Sequence, residues 1–226
     1  MANKRSLLKR MVDDYQLWLE NNGVIREVIK LQGEGRFSPT RVEIGHYLWF
    51  AELATKPSVL ETLPDVVRVL DVGAYLNLFA NFLNNIEVVE GRRFDCAGIE
   101  IRPEHCELSN RIFRENRLVC GDAAEMDRLF DVKFDIIIFC GYFHREDPKP
   151  EETILQTLRA ADKILNSGGI LAIMSPDERK IHSRNFFLPS ADAGPFPPGR
   201  FMPDGYSYSD KSNAECWFIA RKNRAG

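Results

Sequence analysis

Residues 66–77 read VVRVLDVGAYLN, and this stretch decides the fold class. Residues 66–72 form an apolar run interrupted by Arg68, which is typical of a strand buried on both faces of a parallel sheet. Gly73 follows at once, and a glycine in this position lets the backbone turn tightly and approach a ligand closely. A buried strand followed by a glycine turn and a helical pattern predicts the first unit of an α/β sheet.

The same alternation continues downstream of this unit. Further strands are predicted at residues 94–99, 117–120, 134–140 and 170–174. Helices are predicted at residues 76–83, 103–116, 123–130 and 151–165, and residues 166–169 (NSGG) are predicted to cap the last of them. Strands that alternate with helices predict a parallel sheet wound on both faces. A last strand is predicted at residues 216–220, after a Pro- and Gly-rich loop at residues 189–205.

The chain upstream of residue 60 is predicted to be helical. Apolar positions from Leu7 to Leu19 recur every three or four residues, and Asn22 and Gly23 predict a break before a second helix. A third amphipathic helix is predicted at residues 41–55. We therefore expect two parts: an N-terminal helical extension or cap over residues 1–60, and a sheet domain over residues 61–226 that folds as one compact unit.

Composition narrows the class of protein. The 226 residues are 44% hydrophobic and 28% charged, which is typical of a globular domain with a substantial core. The net charge of −3 argues against a dedicated nucleic-acid binder without excluding a local basic patch. No apolar stretch reaches the roughly 20 residues that span a bilayer, so no membrane partner is expected. The five cysteines show no zinc-site spacing, and we expect free thiols, no metal and a cytoplasmic location.

Polar residues follow each predicted strand, where ligands bind in open α/β sheets. Asp71 and Gly73 end the first strand. Glu100 ends the second, where a carboxylate can accept hydrogen bonds from both hydroxyls of a ribose. Asp122 follows the third strand and can accept a hydrogen bond from an adenine amino group. Residues 140–144 follow the fourth strand, where a substrate would meet a cofactor.

These segments together resemble the class I S-adenosylmethionine-dependent methyltransferases. The glycine-rich first motif of the family is similar to VLDVGAYLN (69–77), the second to GIEI (98–101) and the third to VCGDAAEM (119–126). FDIIIFCGYFHREDP (134–148), LNSGGILAIMS (165–175) and CWFIARK (216–222) resemble the later strands. The resemblance covers residues 66–176 and, more loosely, 205–222. It implies a Rossmann-like, doubly wound, mostly parallel seven-stranded sheet with an antiparallel last strand, and methyl transfer from S-adenosylmethionine.

The resemblance also implies which residues hold the methionine half of S-adenosylmethionine. Asp71 and Gly73, with Ala74 beside them, would line this part of the cofactor. Cys140 and Gly141 would form the floor near the reactive sulfonium.

The adenosine half is implied to rest on the second and third motifs. Glu100 would hold the ribose hydroxyls, and Ile101 would pack on the adenine. Asp122 would bind the adenine amino group, with Ala123 beside it.

The first motif departs from the family pattern in its glycines. Family members have a second glycine where this chain has Tyr75 or Asn77. Because asparagine tolerates a left-handed backbone, Asn77 is expected to fill the later glycine position and to contact the cofactor carboxylate. Tyr75 is bulky, and it would narrow or cover the pocket.

The residues nearest the acceptor are predicted around the fourth strand. His144 is the candidate general base, because imidazole titrates near neutral pH. Alternatively, it only fixes the loop by hydrogen bonding. Arg145 would bind an anionic substrate group or pair with a neighbouring acid. Tyr142 is a further substrate candidate, and Tyr47 would cap the pocket or pack on the domain.

Three functions remain open at this point. The first is methyl transfer to the O, N or C atom of a small molecule. The second is modification of a nucleoside in RNA, since GYFHREDP (141–148) and RNFFLPS (184–190) resemble wobble-uridine-modifying relatives. The third is a binding or regulatory protein that has lost catalysis. A nicotinamide dehydrogenase is disfavoured because Gly-x-Gly-x-x-Gly is absent. The acceptor is not identified by the sequence, and whether the chain forms a homodimer also stays open.

Overall fold

A computed structural model of the chain describes residues 2–32, 63–85, 92–113, 117–140, 142, 149–175, 206–208 and 216–222. The predicted helix at residues 41–55 and the predicted loop at residues 189–205 lie outside these ranges. So do four of the predicted site residues, namely Tyr47, Gly141, His144 and Arg145.

The described strands form one sheet in the order β3-β2-β1-β4-β5-β7-β6. They are β1 Val66–Val72, β2 Arg93–Glu100, β3 Leu118–Cys120, β4 Phe134–Cys140, β5 Leu165–Ser175, β6 Tyr206–Tyr208 and β7 Cys216–Lys222. The first five strands pair in parallel, whereas β7 runs antiparallel to β5 and to the three-residue β6. The predicted α/β sheet, mostly parallel with an antiparallel last strand, is confirmed.

Six α-helices lie in the described part of the chain. They are α1 Ala2–Asn21, α2 Val24–Gln32, α3 Leu78–Asn85, α4 Pro103–Ile112, the one-turn α5 Met126–Leu129 and α6 Glu151–Ile164. Gly23 separates α1 from α2 with a φ of +72°, a left-handed conformation that glycine adopts without steric cost. None of the helices in the described ranges is long and apolar enough to cross a membrane.

The core has two layers, one on each face of the sheet. Successive side chains of a strand point to opposite faces, so Val67 and Val69 of β1 join one cluster while Leu70 and Val72 join the other. The first cluster includes buried residues of α1 to α4, and the second includes α6. Helices therefore cover both faces, and the sheet positions its strand ends from a rigid, buried frame.

The two N-terminal helices pack on the first of these clusters. Val12 and Leu19 of α1 and Val24 and Val28 of α2 are buried in it. The Tyr15 hydroxyl donates to the carbonyl oxygen of Leu78, at the start of α3, over 3.0 Å. The described part of the N-terminal extension thus shares a hydrophobic core with the sheet.

The connection between α6 and β5 differs from the prediction. The glycines at residues 168–169 were predicted to cap α6, but the helix ends at Ile164 and the extended Leu165 pairs with Phe134 at once. Gly168 instead takes its φ of +80° inside β5, where the register with β4 shifts. The reason is burial, because Leu165 has no exposed surface and enters the core as soon as the helix ends.

Candidate functional site

The candidate site lies at the carboxyl ends of the central strands. β1 has β2 on one side and β4 on the other, so the order of strands along the chain reverses at β1. In open α/β sheets this switch point opens a crevice in which ligands bind. The loop after β1 and the ends of β2, β3 and β4 therefore supply the residues to be tested.

The loop at residues 73–77 is left-handed at every second residue. Gly73, Tyr75 and Asn77 have φ values of +76°, +54° and +58°. The amides of Gly73 and Ala74 both donate to the carbonyl oxygen of Ile99, each over 3.0 Å. The left-handed Asn77 agrees with the sequence prediction, whereas the left-handed Tyr75 was not anticipated. The loop thus needs a glycine-like backbone at three positions and has one glycine there.

Gly98 on β2 makes room for this loop. A Cβ atom at this position would lie 2.6 Å from the Cβ of Ala74 and would also collide with the Asn77 side chain. Sequence analysis did not assign Gly98 a role. The available signal was the glycine itself, because glycine inside a strand often marks a close approach of another backbone.

Asp71 is a buried carboxyl group beneath the loop. Its side chain is 5% exposed, and among the described residues its Oδ1 atom has no hydrogen-bond partner. Burial raises the pKa of Asp71 to about 7, and the nearby negative charge of Glu100 adds to the rise. The group therefore changes charge near neutral pH and has an oxygen left for a ligand.

Glu100 ends β2 and binds the loop directly. Its Oε2 atom accepts a hydrogen bond from the Tyr75 amide and its Oε1 atom accepts one from the Arg102 amide, both at 3.0 Å. Burial alone would raise the pKa of Glu100, but His105 and these two amides lower it below its ordinary value. Each oxygen of the ionised carboxylate retains acceptor capacity, so Glu100 can also bind two hydroxyl groups.

The third strand contributes an exposed rim to the site. Asp122 caps the helical turn Ala123–Glu125, because its Oδ1 atom accepts from the Ala124 amide at 2.9 Å. Among the described residues its other oxygen accepts no hydrogen bond. Ala123 is buried beside it. Ile101, after β2, is 62% exposed, which is a large solvent-facing apolar surface for a residue at this edge.

Tyr142 brings the end of β4 against the loop. Its Cδ2 atom lies 3.2 Å from the position that a Cβ atom of Gly73 would take. Its hydroxyl lies 3.4 Å from the Thr157 hydroxyl of α6, and the Lys149 ammonium lies 4.6 Å from the centre of its ring. Cys140 is half-buried at the end of the strand. Lys149 was missed by sequence analysis, because only tertiary packing brings it over the tyrosine.

The structure brings most of the predicted residues to one edge of the sheet. Three carboxyl groups, on Asp71, Glu100 and Asp122, lie at the carboxyl ends of the adjacent strands β1, β2 and β3. Such an edge suits a ligand with a positive charge and several hydroxyl or amino groups. Within the described ranges, no group of three or more His, Cys, Asp or Glu side chains is placed to hold a metal ion.

Two solved structures are similar to this chain in fold. A Clostridium thermocellum protein that carries the name rRNA methylase is 16% identical with a TM-score of 0.50, and the match covers 75% of this chain and 93% of that one. A structure reported for the conversion of a disulfide bond into a thioacetal group in echinomycin biosynthesis is 14% identical with a TM-score of 0.50. That match covers 74% of this chain and 82% of the other. At these identities the likeness concerns the fold.

A third structure belongs to a chain about twice as long as the region that matches this protein. TrmN from Thermus thermophilus is 16% identical with a TM-score of 0.47, and the match covers 73% of this chain but 47% of TrmN. The chain therefore spans about half the length of TrmN. A comparison of the sequence with curated proteins finds no match.

A family model matches the central part of the chain. Residues 70–173 match the model described as a methyltransferase domain. The matched range begins in β1 and ends in β5, so it contains the loop at residues 73–77 and all three carboxyl groups of the site. Over residues 70–173 the chain therefore matches a methyltransferase domain, and the candidate site lies inside the matched range.

Proposed function

We propose that this protein transfers the methyl group of S-adenosylmethionine to an O, N or C atom of a small molecule. The loop at residues 73–77 is the observation that carries the proposal. It keeps a left-handed backbone at Tyr75 and Asn77, although neither is glycine, and Glu100 accepts a hydrogen bond from it. This conformation is costly for a tyrosine, and such strain is expected where a ligand requires it.

The hydrogen-bond acceptors of the site match the hydrogen-bond donors of the cofactor. The free Oδ1 atom of Asp71 would accept a hydrogen bond from the ammonium group of the methionine part, with Gly73 and Ala74 beside it. Glu100 would accept hydrogen bonds from the ribose hydroxyls through its remaining lone pairs.

The adenine would rest on the exposed rim of the site. Its ring would cover the apolar surface of Ile101, which is otherwise exposed to water. The free oxygen of Asp122 would accept a hydrogen bond from the adenine amino group, with Ala123 alongside.

The reaction demands positioning more than acid–base chemistry. When bound, the cofactor supplies a methyl group already activated by a sulfonium. The chain's residues then have to hold the acceptor in line with that group. This positioning lowers the entropic part of the activation barrier. Cys140 and Gly141 would form the floor of this region. His144 would take the proton of an acceptor that carries one.

The acceptor side is proposed to lie near Tyr142. This ring packs against Gly73, so it separates the loop from α6. The Lys149 ammonium over the ring, together with Arg145, would favour an acceptor with a negatively charged group. Tyr47 would complete the cover from the N-terminal part of the chain.

Methylation of a nucleoside in RNA is the second candidate. Its support is that structures with the same fold carry RNA-methylation names, one of them an rRNA methylase from Streptococcus thermophilus. The net charge of −3 supports the small-molecule acceptor instead, because RNA binding depends on a basic surface. A binding or regulatory protein that has lost catalysis is the third candidate, and the single glycine left in the loop at residues 73–77 supports it.

We propose a division of the chain and a location as well. Residues 1–60 would form a helical cap, and residues 61–226 would form the methyltransferase unit. The described cysteines Cys96, Cys106 and Cys120 are free thiols, which supports a cytoplasmic location. Gel filtration with light scattering tests whether two copies form a homodimer.

Titration calorimetry with S-adenosylmethionine and S-adenosylhomocysteine tests the proposed function. We expect micromolar affinity for both. Labelled methyl transfer from S-adenosylmethionine into a small-molecule extract, and into total RNA, then separates the candidates. Label that is soluble in acid supports the small-molecule acceptor, while label that becomes soluble only after ribonuclease treatment supports RNA. Absence of binding at millimolar ligand contradicts both methyl-transfer candidates and supports the third, and binding without any transfer also supports the third.

A further inference from the structure

Tyr75 occupies a position that suits glycine. Its φ of +54° lies in the left-handed region, where the Cβ of an ordinary residue crowds the backbone. Aromatic residues visit this region rarely, and then under constraint from their surroundings. The contacts of Tyr75 should therefore show what imposes the conformation.

Two contacts hold Tyr75 from opposite ends of the residue. Its amide donates to the Oε2 atom of Glu100 over 3.0 Å. Its ring meets the His105 imidazole edge to face, with 4.5 Å between ring centres and 79° between planes. Its hydroxyl oxygen is buried. The ring is thus packed into the protein, against His105 and the first core cluster.

His105 is itself tightly held. It lies in the first turn of α4, is 5% exposed, and its amide donates to the carbonyl oxygen of Arg102 over 3.1 Å. Its Nδ1 atom lies 3.7 Å from the Oε1 atom of Glu100. Tyr75, Glu100 and His105 therefore form a closed cluster in which each residue contacts the other two.

The cluster joins the three segments that shape the cofactor site. Tyr75 belongs to the loop after β1, Glu100 ends β2, and His105 lies in the first turn of α4. A glycine at position 75 would reach the same backbone conformation without any side-chain contact. In this chain residue 75 carries an aromatic ring, and His105 supplies the ring against which it packs.

We propose that His105 is a positioning residue of the cofactor site, which holds Tyr75 in the left-handed conformation that the loop needs. The proposal rests on the proposed function in so far as this loop binds S-adenosylmethionine. His105 acts through Tyr75 and does not itself touch the cofactor. The contribution of His105 to cofactor affinity should therefore disappear when residue 75 is glycine, which adopts this conformation without a side-chain contact.

A double-mutant cycle tests this dependence. The variants are His105→Ala, Tyr75→Gly and the two combined, and calorimetry measures the Kd for S-adenosylhomocysteine. In the Tyr75 background, His105→Ala is expected to weaken binding about tenfold, a coupling typical of residues in contact. In the Tyr75→Gly background the same change is expected to alter Kd less than about twofold. An equal effect in both backgrounds overturns the proposal.

Two further variants separate positioning from general destabilisation. His105→Phe keeps an aromatic ring against Tyr75 and is expected to restore most of the lost affinity, whereas His105→Gln is not. Asp135→Asn is the control, because Asp135 is 9% exposed and lies at the opposite end of the sheet. It should lower the unfolding midpoint while leaving Kd unchanged. If His105→Phe binds as weakly as His105→Ala, the ring contact is not the cause and the proposal fails.

A measurement without ligand keeps this test independent of the proposed function. Urea unfolding of the same four proteins gives the coupling between Tyr75 and His105 in the cofactor-free state. We expect His105→Ala to lower the unfolding midpoint more in the Tyr75 background than in the glycine background. If the wild type binds no S-adenosylhomocysteine but this coupling is present, the proposed function fails while His105 still holds Tyr75. Absence of the coupling overturns the proposal whatever the ligand does.

Discussion

Asp71→Asn is predicted to make the cofactor-free protein more stable at pH 8. The pKa of Asp71 is about 7 in the folded protein, against an ordinary value of 3.8. This is a rise of roughly three units, and each unit corresponds to about 1.4 kcal/mol, so burying the charged form costs about 4 kcal/mol. Asparagine has nearly the same shape and carries no charge, so the variant avoids this cost.

The size of the effect depends on pH. Below pH 4 the group is protonated in both the folded and the unfolded chain, so wild type and variant are alike. Between pH 4 and pH 7 the unfolded chain loses the proton while the folded protein keeps it, and wild-type stability falls. Above pH 7 both states are ionised and the loss is complete. Between pH 5 and pH 8 the wild type should lose about 3 kcal/mol relative to Asp71→Asn.

Urea unfolding at pH 5, 6, 7 and 8 measures this difference. Asp135→Asn is a matched control, because both oxygens of Asp135 accept hydrogen bonds, from the Arg68 amide at 2.9 Å and the Asn166 side chain at 2.8 Å. An asparagine can offer only one acceptor oxygen there, so this variant should be less stable than wild type at every pH. The reasoning about Asp71 is refuted if Asp71→Asn is no more stable than wild type at pH 8.

Ligand binding should have the opposite pH dependence to stability, because it should strengthen as the pH rises. If the ionised Asp71 pairs with the ammonium of the cofactor, binding requires the deprotonated form. With a pKa of about 7, that form rises from about a tenth to about nine-tenths of the protein between pH 6 and pH 8. Affinity for S-adenosylhomocysteine should therefore increase about tenfold in wild type over this range and stay flat in Asp71→Asn. A flat wild-type profile contradicts the assignment.

Three other variants test the rest of the site. Gly73→Ala should destabilise the protein by about 1–2 kcal/mol in urea unfolding, because φ is +76° and the new Cβ would lie 3.2 Å from Tyr142. Ile101→Ser should weaken calorimetric binding of S-adenosylhomocysteine severalfold without changing the unfolding midpoint, since its side chain is 62% exposed. Val132→Ser, at another exposed site, serves as its control, and equal affinities of the two variants would remove Ile101 from the site. Asp122→Ala should weaken binding by about 1–3 kcal/mol and lose a helix cap, and unchanged affinity would show that the carboxylate only caps.

The secondary structure was largely predictable from local pattern. β1 and β4 run over the predicted residues, because a fully buried strand reads as an unbroken apolar segment. The break between α1 and α2 falls at the predicted glycine. The start of β5 was predicted wrongly, because the NSGG segment at residues 166–169 has the composition of a helix cap. Whether this segment caps α6 or joins β5 depends on the burial of Leu165, which the tertiary structure decides.

The candidate site was predictable in position but not in electrostatics. Asp71, Glu100 and Asp122 could be placed at one edge because parallel strands bring their carboxyl ends together. The pKa of Asp71 could not be predicted, since it follows from burial and from the charge of Glu100, a residue 29 positions later in the chain. Tyr142 and Lys149 likewise come together only because α6 packs behind them.

The sequence predicted the alternation of strands and helices from β1 to β5 and the polar residues at the carboxyl ends of β1, β2 and β3. These follow from periodicity and from the handedness of parallel connections, which are local properties of an L-amino-acid chain. Only the tertiary structure decided that Tyr75 is left-handed, that His105 packs against it, and that Gly98 leaves room for the loop. Each of these depends on contacts between segments that are distant in the chain, and the cost of an unfavourable backbone conformation can be offset only by such contacts.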